Sequence, residues 1–307
     1  MPYRDSITII LGADGFIGRN LLEYWQRRGW PAYAVGRKDG DFTDGGVVDR
    51  VLRNAPKAAR IFHAITKQRT GSIQYEVQGE LLRDNSRIHL NVLDAWQLHQ
   101  SQAKLISLGS SCVYPESRKP TPEEAFLSGP PHASVRGYAL AKEILAIGCE
   151  TFGSQYGLKW LHCILATVYG KYAHSEAHRS HFMVALIARA KVSKARGDTE
   201  LEVWGNPDTV RDLLYVEDQI EAIIAADQGF DNCILNVTSN APVTIGQCAR
   251  EILHALDWTA KIVSPPDSFQ GAGFKSLDSS RFLAATGWAP RFSIERGVRA
   301  LITSEPE

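Results

Sequence analysis

Short apolar runs alternate with amphipathic stretches through the first half of the chain. The runs at 7–11, 32–35, 61–64, 104–108 and 160–165 are rich in residues that favour buried strands. Between them, stretches such as 81–99 and 139–156 carry apolar residues at helical spacing. Because strands that alternate with helices form βαβ units, the pattern predicts an α/β fold with a doubly wound parallel sheet.

The pattern changes after position 170. A histidine-containing loop at 171–180, a helix at 181–195 and a strand-like run at 201–205 come first. The segments 213–226 and 234–237 then look like a return to the main sheet, and prolines and glycines at 265–273 predict a loop. A smaller α/β subdomain built from two separated segments is the simplest interpretation.

A glycine-rich turn follows the first strand run. The run at 19–25 then has apolar residues on one helical face, so the glycines stand between a strand and a helix N-terminus. There, backbone without side chains can approach a phosphate, and the helix dipole favours negative charge. The turn predicts a dinucleotide pyrophosphate site, although an ordinary glycine-rich turn is the alternative. The predicted contacts are Gly12, Asp14, Gly15, Phe16, Ile17 and Gly18.

The end of the second strand run bears on the choice of dinucleotide. An acidic residue there would bond both hydroxyls of the adenosine ribose, whereas this chain offers Arg37 and Lys38. Two cations suit a 2′-phosphate, which favours NADP over NAD. Solvated loop charges would give the same sequence.

Tyr138 and Lys142 are four residues apart in a helical stretch and therefore share a face. A phenol has an ordinary pKa of about 10, and a nearby ammonium lowers the pKa by stabilising the phenolate. Ser110 follows another predicted strand and could hydrogen-bond the reacting oxygen beside the tyrosine. The three predict hydride transfer at a carbonyl or alcohol, with packing and solvation as the alternative for the pair.

Composition excludes several classes of protein. The 34 basic and 34 acidic residues balance, and no basic block suits nucleic acid. No apolar run approaches the length of a membrane span, and the first six residues lead into a strand without a signal-peptide core. We expect a soluble, cytoplasmic protein of one or two domains. Its five scattered cysteines do not suggest a disulfide framework.

These motifs together resemble the extended short-chain dehydrogenase/reductase superfamily of nucleotide-sugar epimerases, dehydratases and reductases, over nearly the whole chain. Within it the sequence most resembles the GDP-L-fucose synthase family of GDP-4-keto-6-deoxy-mannose 3,5-epimerase/4-reductases. The motif that carries this resemblance is Ser-Ser-Cys-Val-Tyr-Pro at 110–115. The resemblance implies that Cys112 and His181 exchange protons at the carbons beside the keto group. A small buried residue is the alternative for Cys112. The implied catalytic set is Ser110, Cys112, Tyr138, Lys142 and His181.

The resemblance also implies that two domains bind different ligands. A Rossmann domain of residues 1–168, to which 211–240 return, would bind NADP, and a subdomain of 169–210 and 241–307 would bind the nucleotide sugar. The further NADP contacts implied are Tyr138, Lys142, Leu165, Thr167 and Val168. The implied nucleotide-sugar contacts are Phe182, Leu186, Arg189, Trp204, Arg211 and Lys275. Cationic side chains suit a diphosphate and an indole suits a flat base, while guanine itself follows from the family alone.

The expected activity is NADPH-dependent reduction at C4 of a 4-keto nucleotide-diphosphate sugar, GDP-linked, with epimerisation at C3, C5 or both, by a homodimer. One alternative is a 4-reductase or 4-epimerase in which Cys112 and His181 are inert, and another is a non-catalytic dinucleotide sensor. The chain has Thr-Val-Tyr-Gly at 167–170 where the family commonly has Asn-Leu-Tyr-Gly, so the hexose could differ. No metal is expected, because His174, His178 and His181 do not form a His-Glu-x-x-His motif.

Overall fold

The computed structural model describes residues 3–69, 73–173, 182–265 and 272–303. In these residues the strands are β1 (Thr8–Leu11), β2 (Ala32–Val35), β3 (Arg60–His63), β4 (Lys104–Leu108), β5 (Trp160–Leu165), β6 (Thr167–Tyr169), β7 (Glu200–Glu202), β8 (Val210–Arg211), β9 (Leu213–Tyr215), β10 (Cys233–Val237), β11 (Val243–Thr244), β12 (Lys261–Val263) and β13 (Phe274–Lys275). The helices are α1 (Phe16–Arg27), α2 (Gly45–Asn54), α3 (Ile73–Glu76), α4 (Gln78–His99), α5 (Arg136–Tyr156), α6 (Phe182–Arg196), α7 (Val216–Gly229), α8 (Ile245–Ala255), α9 (Ser280–Thr286) and α10 (Ile294–Thr303).

A six-stranded parallel sheet in the order β10-β5-β4-β3-β1-β2 forms the centre of the fold. Successive side chains of a strand point to opposite faces, so Ile61 enters one hydrophobic core and Phe62 the other. On one face Trp25 of α1 packs edge-on against Phe62, with ring centroids 5.3 Å apart. On the other face α2, α4 and α5 bury residues such as Trp96. The predicted doubly wound α/β fold is confirmed.

The strand order predicts a crevice at the carboxyl ends of two neighbouring strands inside the sheet. The chain runs from β1 outward to β2 and then crosses back to place β3 on the other side of β1. Connections that leave in opposite directions open a crevice at the carboxyl ends of β1 and β3, where α/β proteins of this kind bind ligands. The glycine-rich turn directly follows β1 at this point.

Beyond the carboxyl end of β5, and apart from the two faces of the main sheet, a further group of elements has its own hydrophobic core, termed the second core. It joins α6, α8 and α10 to the parallel pair β7–β12, around buried residues such as Met183 and Ile252. Of the segment 211–240, β10 pairs with β5 in the main sheet as expected, whereas β9 pairs with β6 in a separate two-stranded sheet. The backbone N–H of Thr167 donates to the carbonyl of Asp212 at 3.1 Å, which begins that pairing just after β5 ends. The domain boundaries at 168, 210 and 240 stay a prediction.

None of the helices in the described part of the chain is both long enough and apolar enough to cross a bilayer.

Candidate active site

The glycine-rich turn forms a backbone cradle at the crevice. Gly12 has a φ of +88°, and a Cβ added there would lie 3.0 Å from the backbone nitrogen of Ile65. A Cβ on Gly18 would come within 2.0 Å of the Gly12 carbonyl oxygen, so α1 packs directly on the turn. Phe16 and Ile17 begin α1, whose first turn carries no acidic residue to oppose an anion. This cradle fits a dinucleotide pyrophosphate, which Gly12, Gly15 and the N-terminus of α1 would hold.

The Asp14 carboxylate holds the loop that carries Arg37 and Lys38, the two cations predicted to bind the 2′-phosphate. Its Oδ2 accepts the backbone N–H of Arg37 at 2.7 Å, and a Cβ on Gly36 would lie 2.0 Å from the same oxygen. The backbone N–H of Gly36 donates to Asp39 Oδ2 at 2.8 Å, which closes the short turn. Arg37 and Lys38 are exposed at the end of β2, beside the cradle. The sequence predicts that Asp14 contacts the cofactor, and in the structure its carboxylate also positions the Arg37 loop.

Ser110, Tyr138 and Lys142 meet at the carboxyl end of β4. Lys142 Nζ donates to the carbonyl oxygen of Leu108 at 2.8 Å and lies 5.9 Å from the centre of the Tyr138 ring. Ser110 precedes a single 3₁₀ turn, and its Oγ accepts the backbone N–H of Cys112 at 3.3 Å. The strand end therefore brings the serine, the cysteine and the first turns of α5 together.

Burial decides the protonation of the tyrosine and the lysine. Burial raises the pKa of Tyr138, negative charge on Cys112 raises it further, and hydrogen bonds with Thr66 and Ser110 oppose the rise. Burial lowers the pKa of Lys142 to about 7. The sequence argument predicts a lowered pKa for Tyr138, and the structure has the opposite direction because the phenol is almost completely enclosed. At neutral pH Tyr138 is therefore protonated, the form that a proton donor requires.

Cys112 lies against two cations. Lys275 Nζ donates to Cys112 Sγ at 3.2 Å, and parallel pairing of β13 with β8 places Lys275 opposite Arg211. Burial raises the pKa of the Cys112 thiol, but the charge of Lys275, the hydrogen bonds from Ser110 and Lys275, and the charge of Arg211 outweigh it, so the pKa is lowered. The structure thus places both cations, which the family resemblance assigns to a diphosphate, beside the Cys112 sulfur.

Arg189 and Trp204 form an exposed platform on the second core. The Arg189 guanidinium carbon lies 3.8 Å from the centre of the indole ring. Glu202 holds both residues in place. Its carboxylate accepts a hydrogen bond from Trp204 Nε1–H at 2.9 Å, and its backbone carbonyl accepts one from an Arg189 guanidinium N–H at 2.9 Å. Trp204 is 59% exposed, so the outer face of the ring is open to a ligand. A cation behind a flat aromatic face suits the binding of a base.

The other predicted contacts are mostly buried. Leu165 ends β5 and Val168 lies in β6, both in the interior, and Thr167 between them is half-buried. Leu186 on α6 is 4% exposed within the second core, where packing accounts for it, and Phe182 at the start of α6 is half-buried. The contact of Phe182 and Leu186 with a substrate stays a prediction.

Two polar residues that the sequence analysis missed support Tyr138. Thr66 Oγ donates to Asn85 Oδ1 at 3.2 Å, and it also hydrogen-bonds Tyr138. Asn85 is fully buried on α4 and bonds both backbone groups of Lys67, so it fixes the loop after β3. A lone threonine and a lone asparagine carry no motif. The only sequence signal was an amide on the apolar face of a helix.

His181, the predicted proton-exchange partner of Cys112, lies outside the described residues, as do His174 and His178. Within the part of the chain that the structure describes, no cluster of three or more histidine, cysteine or acidic side chains could hold a metal ion.

The chain is similar to known proteins in sequence and in fold. The chain is similar to a probable GDP-L-fucose synthase of Oryza sativa subsp. japonica, with 31% identity over 221 residues that cover 71% of this chain and 67% of the rice protein. Its fold is similar to that of a GDP-6-OMe-4-keto-L-xylo-heptose reductase from C. jejuni, with a TM-score of 0.87, 19% identity and coverage of 98% and 97%. It is also similar to a GDP-L-fucose synthetase from Naegleria fowleri bound to NADP, with a TM-score of 0.85, 20% identity and coverage of 97% and 92%.

A family model provides the assignment. Residues 8–237, from β1 to the end of β10, match the model of the NAD dependent epimerase/dehydratase family. This match includes the glycine-rich turn, the Ser110 segment and the Tyr138–Lys142 pair, and it confirms the predicted superfamily, the prediction of an enzyme and the prediction of a nicotinamide dinucleotide cofactor. By its fold, its motifs and this match, the chain belongs to the NAD dependent epimerase/dehydratase family.

Proposed function

We propose that the protein reduces C4 of a GDP-linked 4-keto sugar with NADPH, after epimerising C3, C5 or both. The observation that carries the proposal is the meeting of a protonated phenol, Tyr138, with a thiol of lowered pKa, Cys112, at one strand end. A reductase needs the proton donor, whereas a thiol of lowered pKa is needed as a base only if a proton beside the carbonyl is removed. The rice relative and the two solved structures are named as GDP-sugar enzymes, which supports a GDP-sugar substrate.

The epimerisation step would use Cys112 as the base. A thiolate can remove a proton from the carbon beside a ketone if the enolate oxygen receives hydrogen bonds. The hydroxyls of Tyr138 and Ser110 are the donors closest to that role, since Ser110 hydrogen-bonds Tyr138. Inversion also requires a proton from the opposite face of the sugar. The family resemblance assigns that proton to His181.

The reduction step would use the same tyrosine as the acid. Tyr138 gives its proton to the oxygen that develops on C4, and Lys142 supplies a donor one helical turn away. Bound NADPH would supply the hydride. Gly12, Gly15 and the start of α1 would hold its pyrophosphate, and Arg37 and Lys38 its 2′-phosphate, a choice that the NADP-bound Naegleria structure supports.

The nucleotide would lie on the second core. The open face of Trp204 would stack on the guanine, and Arg189 behind the indole keeps the ring in place. This assignment follows the family resemblance for guanine and the geometry for a flat base.

We also propose a homodimer formed through α4 and α5. Leu90 and Leu98 on α4 are 45% and 64% exposed, and Ile147 on α5 is 37% exposed. These two helices pack against each other, and in the proposed dimer a second copy would cover their exposed apolar residues. Sedimentation equilibrium of the protein and of a Leu90→Glu/Leu98→Glu variant tests this, because a monomeric native protein would contradict it.

A GDP-sugar 4-reductase without epimerase activity is the second candidate. The heptose reductase fold and the Thr167-Val168 departure beside the sugar region favour it.

One experiment separates the two candidates. GDP-4-keto-6-deoxy-mannose is converted with NADPH in deuterium oxide, and the product is examined by mass spectrometry and NMR. We expect deuterium at C3 or C5 with the native protein, and its loss in Cys112→Ser with C4 reduction retained, since a hydroxyl is a far weaker base than a thiolate. Cys233→Ser, at a half-buried position on β10, is the matched control. A native product without carbon-bound deuterium would identify a simple reductase, and no oxidation of NADPH by any 4-keto GDP-sugar would refute the whole proposal.

A further inference from the structure

We infer that Lys275 is a positioning residue for Cys112, and that its ammonium holds the sulfur as a reactive thiolate in the resting enzyme. The use of that thiolate rests on the proposed function, but its existence does not. The contact that supports the inference joins Lys275 Nζ to Cys112 Sγ at 3.2 Å, across 163 positions of the chain.

The backbone of Lys275 is fixed on two sides, which distinguishes it from a mobile surface lysine. The Lys275 carbonyl accepts the N–H of Asp212 at 3.0 Å within the β8–β13 pairing. On the other side, the Ser276 carbonyl accepts the N–H of Thr121 at 2.9 Å. Asp212 then bonds both the Leu277 N–H, at 2.6 Å, and the Ser276 hydroxyl, at 3.1 Å. The backbone from Lys275 to Leu277 is therefore held by bonds to two different segments, while the Lys275 ammonium contacts the sulfur.

Lys275 is the cation in direct contact with the sulfur. The charged and titratable groups that face Cys112 are Lys275 on β13, Arg211 on β8 and Tyr138 on α5, with the Ser110 hydroxyl on its own segment. Arg211 donates to the carbonyl of Val210 at 2.7 Å, so part of its guanidinium is engaged by its own strand. Arg211 thus acts at longer range, and the ammonium of Lys275 dominates the field at the sulfur.

The other four cysteines provide internal references. Cys149, Cys163 and Cys248 are fully buried and Cys233 is half-buried, and burial raises the pKa of each thiol. Cys112 is therefore the one cysteine of the five whose thiol pKa is lowered, whereas burial dominates at Cys233 although Arg281 and Lys104 lie near it. Selective reactivity of Cys112 follows if Lys275 acts as inferred.

The experiment uses mass spectrometry of the free protein to measure the rate at which iodoacetamide modifies each cysteine. The rates are measured at a series of pH values between about 5.5 and about 9.5. In the native protein we expect Cys112 to react first and its rate to saturate at a lower pH than that of Cys233. In Lys275→Met the Cys112 rate at neutral pH should fall about tenfold and its pH profile should move upward. Lys275→Arg, which keeps a cation, should restore most of the native profile.

Several outcomes would overturn the inference. An unchanged Cys112 profile in Lys275→Met would do so, above all if GDP binding in a thermal-shift assay weakens, because Lys275 would then be only a diphosphate contact. A Lys275→Arg profile equal to that of Lys275→Met would also overturn it. Buried Cys149 and Cys163 must stay unreactive in both variants, which verifies that they are folded. No substrate takes part, so failure of the deuterium experiment would leave this result intact.

Discussion

Three buried histidines near Lys142 predict a loss of stability in mild acid. His63 Nε2 lies 2.9 Å from His89 Nδ1, and His162 Nδ1 lies 2.7 Å from the Ser107 hydroxyl. The remaining ring nitrogen of each has no hydrogen-bond partner among the described residues. Burial, with the nearby charge of Lys142, lowers the pKa of His63 and of His162 to about 3, and it lowers that of His89 in the same direction.

The sign and the size of the effect follow from proton linkage. Each ring has a pKa of about 6.5 in the unfolded chain and a lower one in the fold, so the unfolded state binds more protons in acid. The contribution to stability is complete above pH 6.5 and is lost as the pH falls towards 3. At about pH 5, some 1.5 units below the unfolded pKa, each ring costs about 2 kcal/mol, or about 4 kcal/mol for His63 and His162 together. A typical domain has only about 5–15 kcal/mol of stability.

Urea denaturation at a series of pH values tests the prediction. We expect the free energy of unfolding to fall steeply between about pH 6.5 and pH 5, and to fall about 2 kcal/mol less over that range in His162→Asn, which cannot titrate. His254→Gln, at an exposed position on α8, is the matched control and should keep the native slope. The reasoning is wrong if His162→Asn and the native protein lose equal stability, or if His254→Gln flattens the curve as much.

Three further predictions concern the site. Tyr138→Phe should reduce turnover roughly a hundred- to ten-thousandfold while the NADPH dissociation constant, measured by fluorescence, stays nearly native, because only a proton donor is removed. Near-native turnover would contradict its role. Replacing Arg37 and Lys38 with serine should weaken NADPH by about 1.5–3 kcal/mol and NADH far less, by isothermal titration, and equal losses would argue against a 2′-phosphate site. Trp204→Ala should weaken GDP by about 1–3 kcal/mol through lost stacking, and an unchanged affinity for GDP would remove the indole from the binding site.

Local patterns in the sequence were sufficient for the sheet and for part of the site. The alternation of apolar runs with helical stretches predicts the parallel sheet, because burial on both faces makes such strands continuously apolar. The glycine-rich turn and the Tyr138–Lys142 pair depend on neighbours within a few residues, so spacing alone predicts the geometry of each. Membership of a nucleotide-sugar enzyme superfamily followed from the order of these local motifs.

Only the tertiary structure decided what lies around the reacting groups. The pairing of β13 with β8 carries Lys275 to Cys112, and the loop after β3 carries Thr66 to Tyr138, through contacts between segments far apart in the chain. The sequence predicts the wrong direction for the pKa of Tyr138, because a pKa depends on enclosure by every neighbouring element. Strand pairing is a second example, since β9 pairs with β6 although its apolar pattern suits either sheet. Sequence specifies residue types and local spacing, whereas charge, burial and strand pairing at a site arise from the packing of distant segments.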